Sequence, residues 1–314
     1  KMEKGADGIS SLTVEPLRPS TYIYAFTVDG ITMADPVNPR LKIRARTSAS
    51  LVEVPAETPG MQEARDVPHG AVEMNYQKST VLNGETRSIW VYTPPGYTTD
   101  PARRYPILYL LHGSNDKPNG WFDAGNLNFL VDNLIAEKKM APAIIALAYG
   151  HALPFGARGQ GARNNTTVFE EYLLKDVMPL VEGKYRIAAG RRNRAIAGQS
   201  MGAEQSLAIF FRHLELFSSI GALAPSGFGA IESQHAALLA DPKGTNAKID
   251  VLWIGCGRQD PGHFNGSQKL ADVLTAKQIN HIWHPVEGMH VYSLWRDQME
   301  EFLPLAFRPD AAPK

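Results

Sequence analysis

The chain lacks several features that would place it in a common class of proteins. It has a single cysteine, Cys256, in 314 residues, so no internal disulfide can form. Lys and Arg together number 32, as do Asp and Glu, which gives a formal net charge of zero. This balance removes the long-range attraction that draws basic proteins to nucleic acid or to anionic membranes. We therefore expect neither nucleic acid nor a membrane as a partner.

Long apolar runs and metal-binding clusters are also missing. The longest apolar runs have the length of a β-strand, far below the about 20 residues of a membrane-spanning helix. No Cys or His cluster has metal-ligand spacing and no glycine loop resembles a phosphate cradle, so we expect no metal and no cofactor. Cys256 ends an apolar run and is expected to be a small buried residue. No signal peptide is visible at Lys1, and we expect a mature or trimmed chain.

The pattern of the chain changes about one sixth of the way along it. Residues 1–54 show short alternating strands, a hairpin signal at Asp29-Gly30 and no helical period. Residues 55–66 begin rich in Pro and Gly and indicate a linker. Residues 67–314 open with an antiparallel pair turned at Asn83-Gly84, after which strands and helices alternate. This alternation predicts a second, larger α/β domain with a mostly parallel sheet covered on both faces.

The pentapeptide Gly-Gln-Ser-Met-Gly at residues 198–202 joins a strand-like run to a helical one. In this context the pattern G-x-S-x-G is typical of a nucleophile elbow, where small neighbours let the backbone hold a serine on a strained turn. The sequence therefore predicts Ser200 as a nucleophile. Such a serine needs a base, an acid that orients the base, and donors for an oxyanion.

The acid and the base are expected downstream, each at the end of a strand, in the order Ser, Asp or Glu, His. Asp260 is the first carboxylate beyond the strand-like run 249–257, and His290 follows the next predicted strand. We predict Asp260 as the acid and His290 as the base. Glu287 is close enough in sequence to hydrogen-bond His290 and remains an alternative acid.

Four other polar residues in this region are less suited to these roles. Asp272 lies on a helical pattern, where carboxylates are usually solvated, and His281 and His284 lie in or beside a strand, where packed or surface histidines are common. His263 follows Asp260 in a loop and could line the site without being the base.

The oxyanion donors are predicted from a second strand end. Residues 105–111 have a central-strand pattern and lead into His112-Gly113. A His-Gly turn at this place usually points a backbone N–H at the oxyanion, together with the N–H that follows the nucleophile. The predicted donors are the N–H groups of Ser114 and Met201. We expect the His112 side chain to hydrogen-bond its own loop and not to contact substrate.

From about residue 67 to residue 307 the chain resembles the esterase D-like α/β-hydrolases, and within them the bacterial feruloyl and acetylxylan esterases of carbohydrate esterase family 1. The matching segments are residues 109–113, 119–121, 194–202, 255–260, 288–290 and 295–296. The first segment of the chain resembles the end of an immunoglobulin-like early-set module, similar to carbohydrate-binding module family 48. The elbow departs from the family pattern at Gln199, where Leu is expected, and at Ala203-Glu204, where Gly-Gly is common.

The resemblance implies an α/β-hydrolase fold preceded by a small, shortened immunoglobulin-like β-sandwich. It also implies a serine carboxylic-ester hydrolase that works through an acyl-enzyme without a cofactor and releases ferulate or a related hydroxycinnamate from plant arabinoxylan. The expected partner is a plant polysaccharide or a feruloylated oligosaccharide. The expected location of the enzyme is outside the bacterial cell or in the periplasm. Trp121, Tyr149 and Trp295 are predicted to stack on a phenolic acyl group or a sugar ring, with helix packing as the alternative for Trp295.

Other readings of the resemblance stay open. Acetylxylan esterases belong to the same family, and enterobactin-type siderophore esterases resemble the arrangement of a β-module followed by an esterase domain. A non-catalytic glycan-binding protein is a further alternative, which the presence of Ser200, Asp260 and His290 disfavours.

Overall fold

The computed structural model describes residues 2–154, 164–226 and 231–309. Residues 2–54 contain seven short strands. These are β1 Glu3–Lys4, β2 Ser10–Ser11, β3 Ser20–Tyr24, β4 Phe26–Val28, β5 Ile31–Met33, β6 Leu41–Lys42 and β7 Ala49–Val54. Strands β3, β7 and β6 form an antiparallel sheet in that order, and β1-β2 and β4-β5 are separate hairpins. The predicted hairpin turn is confirmed, because Asp29 (φ 50°) and Gly30 (φ 83°) connect β4 to β5 in the left-handed region.

The N-terminal segment packs on the rest of the chain. Leu51 is 3% exposed and belongs, with Ile23 packed against it, to a core cluster made mostly of residues beyond 90. The side chain of Asn126 donates to Thr21 Oγ1 at 3.2 Å, and Arg296 donates to Ser20 Oγ at 2.9 Å. An immunoglobulin-like sandwich is therefore not confirmed, since these side chains are buried against the larger domain and not between two sheets of their own.

The segment at residues 55–66, predicted as a linker, is attached to a helix of the larger domain. Met61 is 9% exposed within the same core cluster. The side-chain amide of Asn133 donates to the carbonyl oxygens of Met61 at 2.8 Å and Glu63 at 2.9 Å. These contacts fix the connection in place, and the division into two domains stays a prediction.

One eight-stranded sheet forms the centre of the larger domain. Its strands are β8 Ala71–Lys78, β9 Thr86–Thr93, β10 Ile107–Leu111, β11 Ile144–Ala148, β12 Arg194–Gln199, β13 Ser219–Leu223, β14 Val251–Gly257 and β15 Ile282–Val286. The order across the sheet is β15-β14-β13-β12-β10-β11-β9-β8. Only the pairings of β9 with β8 and with β11 are antiparallel among these strands, so the predicted mostly parallel sheet is confirmed.

Helices cover both faces of this sheet. They are α1 Gly120–Asp123, α2 Leu127–Ala136, α3 Asn165–Tyr172, α4 Met178–Lys184, α5 Met201–Arg212, α6 Ile231–Gln234, α7 Ala236–Ala240, α8 Pro242–Asn246, α9 Phe264–Ala276 and α10 Tyr292–Ala306, with a π-helical turn at Leu173–Val177 between α3 and α4. Among the described helices, none combines the length and the apolar composition of a membrane span.

The two faces of the sheet carry two core clusters. Along β10, the alternate residues Ile107, Tyr109 and Leu111 face one cluster, while Leu108 and Leu110 face the other. This alternation follows from the two-residue period of a strand. The first cluster includes residues of α3, α4, α5 and α9, and the second includes residues of α1, α2 and α10. Because β10 and β12 to β15 are parallel, their carboxyl ends lie at the same edge of the sheet, between the two clusters.

Candidate active site

Ser200 lies on a sharp turn between β12 and α5. Its backbone has φ 54° and ψ −122°, a conformation that is unusual for a residue other than glycine. A Cβ on Gly198 would lie 2.6 Å from the backbone of Gly202, and a Cβ on Gly202 would lie 2.7 Å from the carbonyl oxygen of Leu111. Both glycines are needed because the backbone packs closely on both sides of the serine.

Asp260 and His290 come together from the ends of β14 and β15. The side chain of Asp260 is buried, and its Oδ2 accepts a 2.5 Å hydrogen bond from Nδ1 of His290. Glu287 points elsewhere: its exposed carboxylate accepts from Gln259 and lies 3.6 Å from the guanidinium of Arg258. The structure thus brings Asp260, and not Glu287, to His290.

A second histidine shares the same carboxylate. His263 Nδ1 lies 2.9 Å from Oδ1 of Asp260, and its ring stacks on that of His290 with centroids 3.9 Å apart and planes 15° apart. One possible ligand atom from each of these three residues lies within 4.8 Å of those of the other two. Imidazole lone pairs lie in the ring plane, so two nearly parallel stacked rings cannot direct them at one ion. The arrangement therefore fits a hydrogen-bonded cluster better than a metal site.

The surroundings of His290 suit a base. Burial lowers the pKa of His290 and a positive charge on His263 lowers it further, whereas the hydrogen bond to Asp260 raises it. His290 is then neutral near pH 7, and with Nδ1–H donated to Asp260 its Nε2 keeps a lone pair. Ser200 and His290 line one cavity of about 400 Å³, within the range of small-molecule sites.

The loop after β10 contributes Gly113, Ser114 and Asn115 to the same cavity. The carbonyl oxygen of Ser114 accepts a 2.5 Å hydrogen bond from Nε2 of His151, which anchors this peptide. Met201 is the first residue of α5, so its N–H belongs to a helix amino terminus, where anions are stabilised. Ser114 thus lines the cavity together with Ser200, and Met201 directly follows Ser200 in the chain.

The His112 side chain hydrogen-bonds its own loop, as predicted, and also the loop after β11. Its Nδ1–H donates to the carbonyl oxygen of Gly113 at 2.8 Å, and its Nε2 accepts from the N–H of Gly150 at 2.9 Å. Burial lowers the pKa of His112 to about 4. The neutral ring thus ties the loop after β10 to the loop after β11.

One wall of the cavity comes from the N-terminal segment, which sequence reasoning missed. The cavity lining includes Thr21, Tyr22 and Ile23 of β3 and, at and after β6, Lys42 and Arg44. Lys42 and Arg44 are two residues apart, so in an extended strand their side chains lie on the same side of the chain. This spacing could have indicated that they share one surface.

The structure places the three predicted aromatic residues in different surroundings. Trp295 lines the cavity, with its ring edge-on to His290 at a centroid distance of 4.7 Å. Trp121 is 0% exposed in the core and its indole N–H points at the carbonyl oxygen of Leu111, 3.4 Å away, which corrects the prediction that it stacks on substrate. The ring of Tyr149 stacks on that of His112 at 5.3 Å and lies outside the cavity lining.

The remaining candidates lie apart from Ser200. Asp272 is exposed on α9, and His281 bonds a backbone carbonyl near the start of β15. His284 pairs with Glu301 at 3.1 Å. Cys256 is 0% exposed, as predicted, and burial raises the pKa of its thiol to about 11.

The comparison with families gives one match. A family model described as putative esterase matches residues 79–305, which is well over half of the chain. The matched range contains the elbow, Asp260 and His290.

Two curated relatives are named as xylan-degrading enzymes. The endo-1,4-beta-xylanase/feruloyl esterase of Xylanibacter ruminicola is 28% identical over 317 aligned residues, covering 98% of this chain and 41% of the relative. Endo-1,4-beta-xylanase Y of Acetivibrio thermocellus is 33% identical over 134 residues, covering 39% of this chain and 11% of the relative. The chain thus spans less than half the length of these relatives.

Solved structures share the fold. A ferulic acid esterase of Anaeromyces mucronatus, solved in complex with ferulic acid, superposes with a TM-score of 0.66 at 24% identity, covering 77% of this chain and 92% of that one. The enterochelin esterase of Shigella flexneri gives a TM-score of 0.66 at 20% identity, covering 88% of this chain and 69% of that one. At such identities the likeness establishes the fold alone.

Proposed function

The chain belongs to the putative esterase family, and from this premise we propose that it is a serine esterase that releases ferulate or a related hydroxycinnamate from plant arabinoxylan. The hydrogen bond from His290 to Asp260, together with the cavity that His290 and Ser200 both line, carries this proposal. The relative that aligns with 98% of the chain is named a xylanase/feruloyl esterase, which supports the choice of acyl group.

In the proposed first half-reaction His290 Nε2 takes the proton of Ser200 as its Oγ attacks the ester carbonyl. The N–H groups of Ser114 and Met201 stabilise the resulting oxyanion, and Asp260 stabilises the imidazolium. His290 then donates its proton to the leaving sugar oxygen. The products of this step are the free sugar alcohol and an acyl-enzyme on Ser200.

Water completes the proposed cycle. His290 removes a proton from a water molecule as its oxygen attacks the acyl-enzyme, and the same donors stabilise the second oxyanion. Collapse of this intermediate returns the proton to Ser200 and frees the carboxylic acid. No residue beyond these five is required for the bonds that form and break.

The cavity lining suits a planar aromatic acyl group. Tyr22, Ile23 and Trp295 give it apolar and aromatic surface, and Thr21 and Asn115 give it polar groups. A polysaccharide substrate lies outside the cell, so the proposal includes a secreted or periplasmic enzyme.

A catecholate siderophore is the second candidate substrate. The enterochelin esterase covers 88% of this chain, against 77% for the ferulic acid esterase of Anaeromyces mucronatus. The siderophore esterase thus superposes on more of this chain, and a catechol ring has a size similar to that of ferulate.

A hydrolysis panel separates the candidates. The kcat/KM of the parent is measured on methyl ferulate, a feruloylated arabinoxylan oligosaccharide, acetylated xylan and a trilactone catecholate siderophore, with Ser200→Ala as the blank. We expect the feruloylated oligosaccharide to be the best substrate and acetylated xylan a weaker one. Siderophore hydrolysis without ferulate release would replace the first candidate by the second.

A further inference from the structure

Lys42 belongs to β6 of the N-terminal segment, and its charged side chain is buried against the larger domain. Its side chain is 1% exposed, and its ammonium forms an ion pair with Asp116, whose side chain is 10% exposed. The ammonium also lies 4.8 Å from the ring centroid of Tyr292. Burial lowers the pKa of Lys42, and the carboxylate of Asp116 opposes this change. An isolated charge at such a place is strongly disfavoured, so these partners hold Lys42 in one position.

Asp116 connects Lys42 to further groups. One carboxylate oxygen accepts from Lys42 and, at 2.8 Å, from the backbone N–H of Lys117, while the other accepts from the hydroxyl of Tyr292. That hydroxyl also accepts a 3.2 Å hydrogen bond from the side-chain amide of Gln199. The groups form one network that joins β6, the loop after β10, the end of β12 and the start of α10.

Asp116, Gln199 and Tyr292 each lie within two residues of a proposed reacting group in the chain. The N–H of Asp116 donates to the carbonyl oxygen of Gly113 at 3.1 Å and closes the turn that holds Ser114. Gln199 directly precedes Ser200. Tyr292 follows His290 by two residues.

A glycine makes room for the network. A Cβ on Gly120, the first residue of α1, would overlap Lys42 Nζ and Asp116 Oδ1 and would lie 2.7 Å from the hydroxyl of Tyr292. No side chain larger than hydrogen fits there without moving one of these groups. The space is therefore shaped for the contact between Lys42, Asp116 and Tyr292.

We propose that Lys42 is a positioning residue for the esterase reaction, which fixes, through Asp116 and Tyr292, the segments that carry the reacting groups. This inference rests on the proposed function, because it assigns Lys42 a part in the chemistry of that site. Without Lys42, Asp116 is a buried carboxylate that has lost its cation, and the loop of Ser114 loses one of the contacts that fix its geometry. Oxyanion donors act through their prior orientation, so this loss lowers kcat and leaves KM nearly unchanged.

The test compares two substitutions in the same segment. Lys42→Met removes the ammonium and keeps an unbranched stem, while Arg40→Met removes a cation that pairs with Glu53 on the exposed surface. The substrate is p-nitrophenyl acetate, which reports ester hydrolysis whatever the natural acyl group. We expect Lys42→Met to lower kcat about 10- to 100-fold with KM within about threefold of the parent, and Arg40→Met to behave as the parent.

A double variant checks that Lys42 acts through Asp116. Lys42→Met combined with Asp116→Asn leaves no uncompensated buried charge. We expect its kcat to fall no further than that of the more damaging single variant, because the two residues act as one unit. Fully multiplicative losses would overturn the proposed route.

The outcomes separate this inference from the proposed function. A parent without activity on p-nitrophenyl acetate would overturn the proposed function and this inference with it. An active parent, together with a folded Lys42→Met variant of unchanged kcat, overturns only the role of Lys42, as does a raised KM at unchanged kcat. If Lys42→Met does not fold, Tyr292→Phe decides, since it removes only the bridging hydroxyl: a lowered kcat supports the network and an unchanged kcat overturns it.

Discussion

His263 and His290 stack with ring centroids 3.9 Å apart, and each lies within hydrogen-bond distance of a different oxygen of Asp260. The acid that orients the proposed base thus serves two imidazoles. Their closeness means that a positive charge on one ring disfavours a positive charge on the other. His263 is therefore in a position to tune the base without touching Ser200.

The pH profile tests this relationship. A positive charge on His263 is one of the causes that lower the pKa of His290, after burial. His263→Gln keeps an N–H for Asp260 and removes the charge, so the pKa of His290 rises. Because the base must be neutral to act, the acidic limb of the kcat/KM profile should move to higher pH. The profile is measured on p-nitrophenyl acetate between pH 4 and pH 8, a range that brackets the pKa of an ordinary histidine, about 6.5. His284→Gln, in β15 and paired with Glu301, is the control. An acidic limb that stays in place in His263→Gln would contradict this role.

Ser200→Ala should remove ester hydrolysis and leave the fold intact. Loss of a nucleophile of this type lowers kcat by about 10⁶-fold. Ser88→Ala in β9 is the matched loss of a hydroxyl outside the cavity lining and should keep the parent rate. Thermal unfolding of both variants confirms that the fold is retained. Hydrolysis by folded Ser200→Ala at the parent rate would remove the nucleophile assignment.

Asp260→Asn and Glu287→Gln distinguish the two candidate acids. The first breaks the 2.5 Å contact with His290 and should lower kcat by about 10⁴-fold. The second only alters exposed contacts with Gln259 and Arg258 and should be nearly silent. The two kcat values on the same small ester decide the assignment, and the reverse ranking would place the acid on the loop after β15.

Tyr22 should contribute to recognition of an aromatic acyl group. Tyr22→Ala removes aromatic surface from the cavity wall and should raise KM for methyl ferulate more than KM for an acetylated xylose. Tyr76→Ala, which truncates a 64% exposed tyrosine in β8, is the control. Equal changes for both substrates would mean that Tyr22 supports the wall and does not contact the acyl group.

Gly202→Ala should destabilise the protein, because its Cβ would lie 2.7 Å from the carbonyl oxygen of Leu111. Such overpacking lowers the free energy of unfolding by about 1–3 kcal/mol. Gly183→Ala in α4 is the opposite case: its Cβ would meet no atom within 4 Å, and the change should add about 0.4–1 kcal/mol. Urea unfolding of both variants gives the two values, and equal stabilities would show that the elbow can relax around a methyl group.

The sequence predicted the elbow, Asp260 and His290 because these depend on local signals. The small residues around Ser200 mark the turn, and strand ends place the other two residues at the same edge of the sheet. The continuous apolar run at residues 105–111 also predicted β10, observed at Ile107–Leu111, within two residues. These features depend on short stretches of chain whose periodicity is visible without knowledge of the fold.

The parts that sequence reasoning missed depend on contacts between distant segments. Lys42 meets Asp116, 74 residues away, and Tyr292 meets Asp116 across 176 residues. A lysine in a short polar strand has the pattern of a solvated residue, so its burial is invisible before the fold is known. The prediction that Trp121 stacks on substrate was wrong for a related reason. An aromatic residue near a catalytic loop has the same sequence pattern whether it faces the core or the substrate.

The wall formed by β3 and β6 means that the N-terminal segment and the catalytic cavity assemble together. An esterase domain that folds before residues 20–44 have docked holds a carboxylate at Asp116 without its cation and an open flank beside the serine. Catalytic competence during refolding should then appear only when residues 20–44 have packed against the cavity. Exchange of this segment between related enzymes would transplant part of the pocket, so chimaeras joined at residues 55–66 would inherit substrate preference from both parents.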